Sequence, residues 1–224
     1  MTLPDLYQRL LKDVLDSGRS YRLVLAGGYA IQAHGLVSRV SKDLDLATEA
    51  HADMNEITSS IAAGLRGKGW TVRTAEIAPR MAHLRITDTK TGEDCDLDIL
   101  KEIFHQPPVH TAAGPTLSRD DAVGLKVRAL HDRGLPRDAI DVFGARDLYT
   151  VAELEHLGAR HKEEFDREEL RHHLEGLEFT SDEGHTADGV QEDDLAELQN
   201  WVRCWLDDLG QRLAEPYTED PDSD

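Results

Sequence analysis

The sequence lacks the features that mark secreted, membrane-spanning and disulfide-stabilised proteins. Its two cysteines, Cys95 and Cys204, lie far apart without a CxxC pair, so we expect core positions rather than a disulfide scaffold or a zinc site. No apolar run approaches the ~20 residues that span a bilayer. The N-terminal residues lack the basic start and apolar segment of a signal peptide. We therefore expect a cytoplasmic protein that makes no membrane contact.

Basic residues are too few to balance the acidic ones, and the imbalance is uneven along the chain. The formal net charge is −19, and residues 150–224 hold 23 of the 44 acidic residues but only 6 of the 25 basic residues. A strongly acidic surface repels nucleic acid and anionic membranes, which disfavours a general nucleic-acid binder. The near-neutral first two thirds of the chain could still form a locally basic cleft for a phosphate-rich ligand.

The hydrophobic pattern predicts an α+β fold. Helical spacing and capping signals predict helices over residues 4–16, 29–34, 52–65, 122–131, 137–149, 151–157, 162–177 and 192–213. Short apolar or alternating runs predict strands over residues 21–26, 40–48, 70–77, 81–87 and 95–100, the last two as a hairpin.

Composition divides the chain into three parts. We expect an α/β core over residues 1–115, a helical region over 116–214 that completes the site, and a disordered acidic tail over 215–224. Residues 104–115 are proline-rich and predict a loop, and the polar residues 180–189 predict a flexible linker.

The most informative segment begins at a glycine pair and ends at two aspartates. Gly27 and Gly28 follow a predicted strand, and the sequence RVSKDLD follows a short predicted helix and ends at Asp45. Asp43 and Asp45 are two residues apart on a strand, so they point to the same side. Two like charges that close are unfavourable unless a cation neutralises them, and Mg²⁺ prefers carboxylate and phosphate oxygens. The glycine turn would let the backbone donate N–H groups to a triphosphate.

A second acidic strand offers a third carboxylate. Asp94, Asp96 and Asp98 alternate with apolar residues and share one face. If this strand lies beside the first, Asp96 or Asp98 would complete a three-carboxylate site for two metal ions, which stabilise the attacking and leaving oxygens of phosphoryl transfer. The sequence leaves the choice between these two acids open.

Two charged pairs follow in the predicted helical region. Lys126 and Arg133 are seven residues apart and share a helix face, and Asp138 and Asp141 are three apart and share another. Charges of both signs that face a carboxylate–metal site suit a substrate with a charged leaving group.

These motifs resemble a known group of enzymes. The Gly-Gly turn, the Asp-x-Asp strand and the distant strand acid resemble the polymerase-beta-type nucleotidyltransferase superfamily. The segment LKVRALHDRG at 125–134, followed by RDAID at 137–141, resembles the AbiEii/AbiGii-type nucleotidyltransferase toxins of abortive-infection and toxin–antitoxin systems. The resemblance covers roughly residues 20–150 and rests on the helix pattern Lys-x-x-Ala-Leu-x-x-Arg that precedes Lys/Arg-Asp-x-x-Asp.

The resemblance implies a polymerase-beta-like domain with a mixed sheet, and a Mg²⁺-dependent reaction that joins a nucleoside monophosphate from a nucleoside triphosphate to an acceptor hydroxyl of a transfer RNA or a protein. A cognate antitoxin would be a partner. The implied roles are nucleotide binding by Gly27, Gly28, Arg39, Ser41 and Lys126, metal binding by Asp43, Asp45 and Asp96 or Asp98, and orientation of Lys126 or the acceptor by Asp138 or Asp141. One departure is the turn itself, which is often Gly-Ser in the family and lacks that hydroxyl here.

Other interpretations stay open at this point. The aspartates could be exposed strand positions, and the lysine, arginine and aspartates of the helical region could form a surface salt-bridge ladder. A small-molecule nucleotidyltransferase of the aminoglycoside type would also suit the acidic surface, because that acceptor is polycationic. A third alternative is a non-catalytic relative that binds a nucleotide or a partner protein.

Overall fold

A mixed sheet, of seven strands within the described residues, forms the centre of the fold, and the predicted α+β class is confirmed. The computed structural model describes residues 3–39, 41–179 and 192–214. The linker predicted over 180–189 and the tail predicted over 215–224 lie outside the described residues, as does Val40. None of the helices within the described ranges is both long and apolar enough to cross a membrane.

The described elements follow the predicted order, except that two short strands, β6 and β7, replace part of the predicted loop. The strands are β1 (Val24–Leu25), β2 (Asp43–Thr48), β3 (Trp70–Ala78), β4 (Met81–Asp88), β5 (Asp94–Lys101), β6 (Val109–Thr111) and β7 (Gly114–Thr116). The helices are α1 (Asp5–Ser17), α2 (Gly27–Ala33), α3 (Met54–Arg66), α4 (Arg119–Arg133), α5 (Pro136–Phe143), α6 (Val151–Ala159), α7 (Arg167–Glu178) and α8 (Glu192–Ala214).

The strand order β3-β4-β5-β2-β1-β7-β6 brings the two acidic strands side by side. β2 pairs parallel with β5 and antiparallel with β1. β4 and β5 form the antiparallel hairpin that the sequence predicts. Parallel pairing of β2 and β5 needs a long crossover, and α3, β3 and β4 provide it.

Helices α1 and α3 cover the apolar face of the sheet. Leu10 and Val14 of α1 are four residues apart and fully buried, as are Ile57 and Ile61 of α3, so each pair lies on one helix face. They pack in one cluster with the leucines and isoleucine of β2 and β5. Burial of each such side chain contributes about 1.5–3 kcal/mol, which fixes the apolar face inward and leaves the alternating acids on the opposite face.

Helices α4 to α8 enclose a second cluster. Ser118 caps α4 by accepting a hydrogen bond from the Asp121 backbone N–H at 3.0 Å, as the sequence predicts, and Gly134 ends the helix with φ +57°. Trp205 of α8 is fully buried in the cluster beside Trp201. This tryptophan pair therefore packs α8 against the second cluster.

Several predicted boundaries are wrong, and each has a physical reason. β1 has two residues instead of six, because the left-handed Arg22 (φ +50°) ends the preceding 3-10 turn. Residues 104–115 are not a simple loop, because Thr116 pairs with Leu25 and thereby extends the sheet through β7 and β6. A local pattern does not reveal such long-range pairing.

The other differences lie in the helical region. α5 ends at Phe143 where Gly144 caps it, six residues before the predicted end, and α7 begins five residues late, because the Asp166 side chain caps its first turn. Cys95 is buried as expected, whereas Cys204 is exposed on α8 and the expectation of a core position is wrong.

Candidate active site

The acids of β2 and β5 meet across one parallel strand pair. Asp43 lies opposite Asp96, and Asp45 lies opposite Asp98. Because the leucines between them point into the core, these carboxylates share the face of the sheet that α1 and α3 leave uncovered. The conditional expectation that the two acidic strands are neighbours is confirmed.

Asp45 has the most perturbed environment of these acids. Burial raises the pKa of Asp45 to about 6; the nearby Lys126 opposes that rise, and the carboxylates of Asp98 and Asp43 add to it. A carboxylate placed among like charges at a partly buried position favours a cation or a proton beside it.

His83 of β4 joins this face through the hairpin register. It lies opposite Asp98, and its Nδ1 is 2.5 Å from Asp98 Oδ1, while its Nε2 is 3.8 Å from Asp96 Oδ1. The hydrogen bond to Asp98 raises the pKa of His83. Burial raises the pKa of Asp98, and the contact with His83 partly offsets that rise. His83 is not among the site residues predicted from the sequence, although the predicted hairpin of residues 81–87 and 95–100 contains both His83 and Asp98.

Asp96 is engaged away from the cavity. Arg85 of β4 donates from Nη1 to both of its carboxylate oxygens at 3.2 Å. Asp98 lines the cavity together with Asp45, whereas Asp96 is not among the described residues that line it. The structure therefore places Asp98, rather than Asp96, beside Asp45 in the cavity.

The glycine pair permits a close approach of the turn to Asp45. Gly27 has φ +56°, and a Cβ built there would lie 2.5 Å from Asp45 Cγ and 2.7 Å from Asp45 Cβ. At Gly28 an added Cβ would lie 2.8 Å from Ser41 Oγ. The hydroxyl of Tyr29 donates to the Ser41 carbonyl at 2.8 Å, which holds the chain just before β2. These glycines thus keep Asp45 and Ser41 directly against the turn.

Lys126 faces this acidic face from α4. Its Nζ lies 2.8 Å from Asp141 Oδ2 and 3.5 Å from Asp138 Oδ1, and its side chain is 12% exposed. Burial alone lowers the pKa of Lys126, but Asp141 and Asp138, together with Asp45, outweigh burial and hold it above its ordinary value. Lys126 is therefore a buried, charged ammonium.

Two arginines hold the two aspartates. Arg133 donates to both oxygens of Asp138 at 2.7 and 2.9 Å, and Arg39 donates to both oxygens of Asp141 at 2.7 and 2.6 Å. Both aspartates are fully buried. The interpretation of these helical residues as a surface salt-bridge ladder is therefore wrong.

A cavity of about 400 Å³ separates the acidic face from α4. Its charged lining consists, among the described residues, of Asp45, Glu76, Asp98, Glu102, Lys126, Arg128, Asp132 and Arg133, and Gly27 lies beside them. Its apolar lining includes Met81, Leu100, Ala122, Leu125 and Ala129. The volume lies within the range of small-molecule pockets. The sheet contributes the carboxylates of Asp45 and Asp98, whereas α4 contributes three cations and the carboxylate of Asp132.

The donor chemistry of this face suits a hard divalent cation. Among the described residues, no three histidine, cysteine or acidic side chains already form a metal cluster, and His83 holds Asp98. Asp43, Asp45 and Asp98 nevertheless offer the carboxylate oxygens that Mg²⁺ prefers, at a position where burial and like charge raise the pKa of Asp45. The residues present therefore fit Mg²⁺.

Fold and site together define a nucleotidyltransferase-type architecture, and comparison with solved structures agrees. The structure matches JHP933 from Helicobacter pylori with a TM-score of 0.55 at 15% identity, covering 95% of this chain and 97% of that one. It matches MenT4, a nucleotidyltransferase toxin from Mycobacterium tuberculosis H37Rv, with a TM-score of 0.53 at 17% identity, covering 90% and 91%. At these identities the likeness shows a shared fold.

The family follows from the sequence match. Residues 9–203 match the family described as nucleotidyl transferase AbiEii toxin, Type IV TA system. The chain belongs to this nucleotidyltransferase toxin family, which confirms the resemblance drawn from the motifs. No curated protein sequence matches the chain.

Proposed function

We propose that this protein transfers a nucleoside monophosphate from a nucleoside triphosphate to an acceptor hydroxyl in a Mg²⁺-dependent reaction. The observation that carries the proposal is the cavity in which Asp45 and Asp98 face Lys126, with Asp43 beside them on the same strand face. Carboxylates that face an ammonium across one cavity suit a metal-bound triphosphate, because the acids would hold the metal and the ammonium would hold the phosphates.

In this reaction the acceptor oxygen attacks the α-phosphorus, the bond between the α-phosphorus and the bridging oxygen breaks, and pyrophosphate leaves while the acceptor hydroxyl loses its proton. Asp43, Asp45 and Asp98 would hold two Mg²⁺ ions. These ions would offset negative charge on the attacking and leaving oxygens. Of the two candidate third acids, we assign Asp98, because Arg85 engages Asp96 outside the cavity.

The remaining residues position the triphosphate. Lys126 would contact the phosphates from α4, and the backbone at Gly27 and Gly28 would lie against them. Asp138 and Asp141 orient Lys126 instead of binding substrate, since both are fully buried and paired with arginines. Positioning and charge stabilisation account for most of the rate gain in such reactions.

The family membership supports a toxin whose activity a cognate antitoxin controls, and we propose a macromolecular acceptor, a transfer RNA or a protein. Because the reaction consumes nucleoside triphosphates, we place it in the cytoplasm. The experiment is incubation of the purified protein with Mg²⁺, each labelled nucleoside triphosphate in turn and a cell extract, followed by separation of RNA, protein and small molecules.

Label in RNA or protein supports the proposal, and label only in small molecules favours the aminoglycoside-type alternative. Asp45→Asn should abolish transfer while the protein stays folded. Asp94→Asn is the control, because Asp94 begins the neighbouring acidic strand β5 but lies outside the described cavity walls, with its side chain 46% exposed. Full transfer by Asp45→Asn would contradict the assignment, and binding without transfer in the wild type would favour a non-catalytic relative.

A further inference from the structure

Arg39 joins the sheet part of the molecule to the helical part next to the candidate site. It lies in the loop between α2 and β2, and its Nε and Nη2 donate to the two oxygens of Asp141 at 2.7 and 2.6 Å. The two residues are 102 positions apart in sequence. The arginine side chain is 9% exposed and the aspartate is fully buried. Paired hydrogen bonds of this kind fix both distance and orientation, which a single contact does not.

Asp141 passes this restraint on to Lys126. The same Oδ2 atom that accepts from Arg39 also lies 2.8 Å from Lys126 Nζ. Arg133 holds Asp138 in the same paired manner, and Asp138 Oδ1 is 3.5 Å from Lys126 Nζ. The ammonium therefore sits between two carboxylates, each of which is oriented by its own arginine.

The two aspartates, the two arginines and Lys126 together determine the net charge beside the cavity. Two carboxylates and three cations leave one net positive charge. Of the three cations, Lys126 and Arg133 line the cavity, and Lys126 is the less exposed of these two, at 12% against 46%. Without Arg39, the full charge of Asp141 would act on Lys126 alone. The ammonium would then be drawn toward Asp141 and would be less able to compensate a phosphate.

We propose that Arg39 is a positioning residue that acts through Asp141 on Lys126, and not the nucleotide ligand that the sequence motif predicts. It is not among the described residues that line the cavity, whereas Lys126 and Arg133 are. Gly28 gives the guanidinium room, since a Cβ there would lie 3.3 Å from Arg39 Nη2. The proposal rests on the proposed function only for the statement that Lys126 contacts the phosphates of the substrate.

A double-mutant cycle tests whether Arg39 affects nucleotide binding through Asp141. Arg39→Met, Asp141→Asn and the double variant are titrated calorimetrically with Mg²⁺ and the triphosphate that binds the wild type most tightly of ATP, CTP, GTP and UTP. Arg39→Met should weaken binding by about tenfold, as expected when a group in contact with the binding residue is disturbed. Because the two residues act as a unit, the double variant should bind no more weakly than Asp141→Asn alone. If the two losses instead multiply, Arg39 contacts the substrate itself and the proposal is overturned.

A second measurement needs no nucleotide. The ¹³Cε resonance of Lys126, assigned by its loss in Lys126→Met, should shift in Arg39→Met and stay in place in Arg9→Met. Arg9 is a matched control because it also pairs with a buried aspartate, Asp88, far from the cavity. An unchanged Lys126 resonance in folded Arg39→Met would overturn the proposal, even if stability falls. Failure of the wild type to bind any triphosphate would instead count against the proposed function and leave the resonance test to decide the role of Arg39.

Discussion

Substitution of Gly27 by alanine tests whether glycine is required in this turn to leave room for the Asp45 side chain. The added carbon would lie 2.7 Å from Asp45 Cβ and 2.5 Å from Asp45 Cγ, and it would overlap the carboxylate oxygen. Non-bonded carbons normally stay about 3.5–4.0 Å apart, so the two groups must separate by about 1 Å. Rotation of the side chain does not remove the contact with Cβ, so β2 or the turn itself must move.

The expected effect has two parts that a control separates. Alanine at φ +56° costs about 1–2 kcal/mol of stability, because left-handed backbone crowds a side chain. A shift of about 1 Å at a catalytic carboxylate can lower the rate by about 100-fold. Gly35→Ala carries the first cost without the second, since Gly35 has φ +75° and an added Cβ there meets nothing within 4 Å.

The assay is transfer of labelled nucleotide, with urea unfolding of the same samples. Both variants should lose similar stability, while Gly27→Ala alone should lose transfer by about 100-fold. Equal activity of the two variants would refute the reasoning, because it would show that the turn does not constrain Asp45.

Two further predictions concern stability outside the cavity. Glu155 of α6 is buried and accepts hydrogen bonds from Arg212 and Trp205 of α8. Glu155→Gln should therefore lower the free energy of unfolding, measured in urea, by about 3–5 kcal/mol. The exposed control Glu175→Gln should lower it by less than about 1 kcal/mol. Burial favours the neutral form of Asp121, but hydrogen bonds from its neighbours outweigh burial and lower its pKa to about 2. Since the folded pKa lies below the unfolded value, this carboxylate stabilises the fold above about pH 4 and loses that contribution as the pH falls toward 2. The free energy of unfolding, measured across this pH range, should therefore change less steeply with pH in Asp121→Asn than in the wild type. An unchanged slope would contradict the assignment.

The sheet face of the site could be predicted because it depends on a local rule. Alternation of acids and apolar residues in β2 and β5 fixes which side each points to, whatever the strands pair with. That an acid of β5 lies beside Asp45 required only that these strands be neighbours, whereas the choice of Asp98 depends on their register, which the sequence leaves open. His83 was missed because its place depends on the exact register of the β4–β5 hairpin, and β4 is two strands away from the Asp-x-Asp strand β2.

The pairing of Arg39 with Asp141 could not be predicted from the place of Arg39 in the motif. Its neighbours in sequence suggest a phosphate ligand, but its partner Asp141 comes from a helix 102 residues later. Which groups a cation faces depends on how α5 packs against the α2–β2 loop, and no periodicity encodes that packing.

The net charge of the chain does not reveal which cations line the cavity. Some acids of the C-terminal third form ion pairs within the protein, as Glu155 does with Arg212 and Arg167. The cations of the site, Lys126 among them, come from the near-neutral first two thirds, and Lys126 stays charged because buried carboxylates outweigh its burial. A surface of −19 and a cavity that presents an ammonium are therefore compatible, since buried charges respond to their nearest neighbours and exposed ones are screened by solvent and salt.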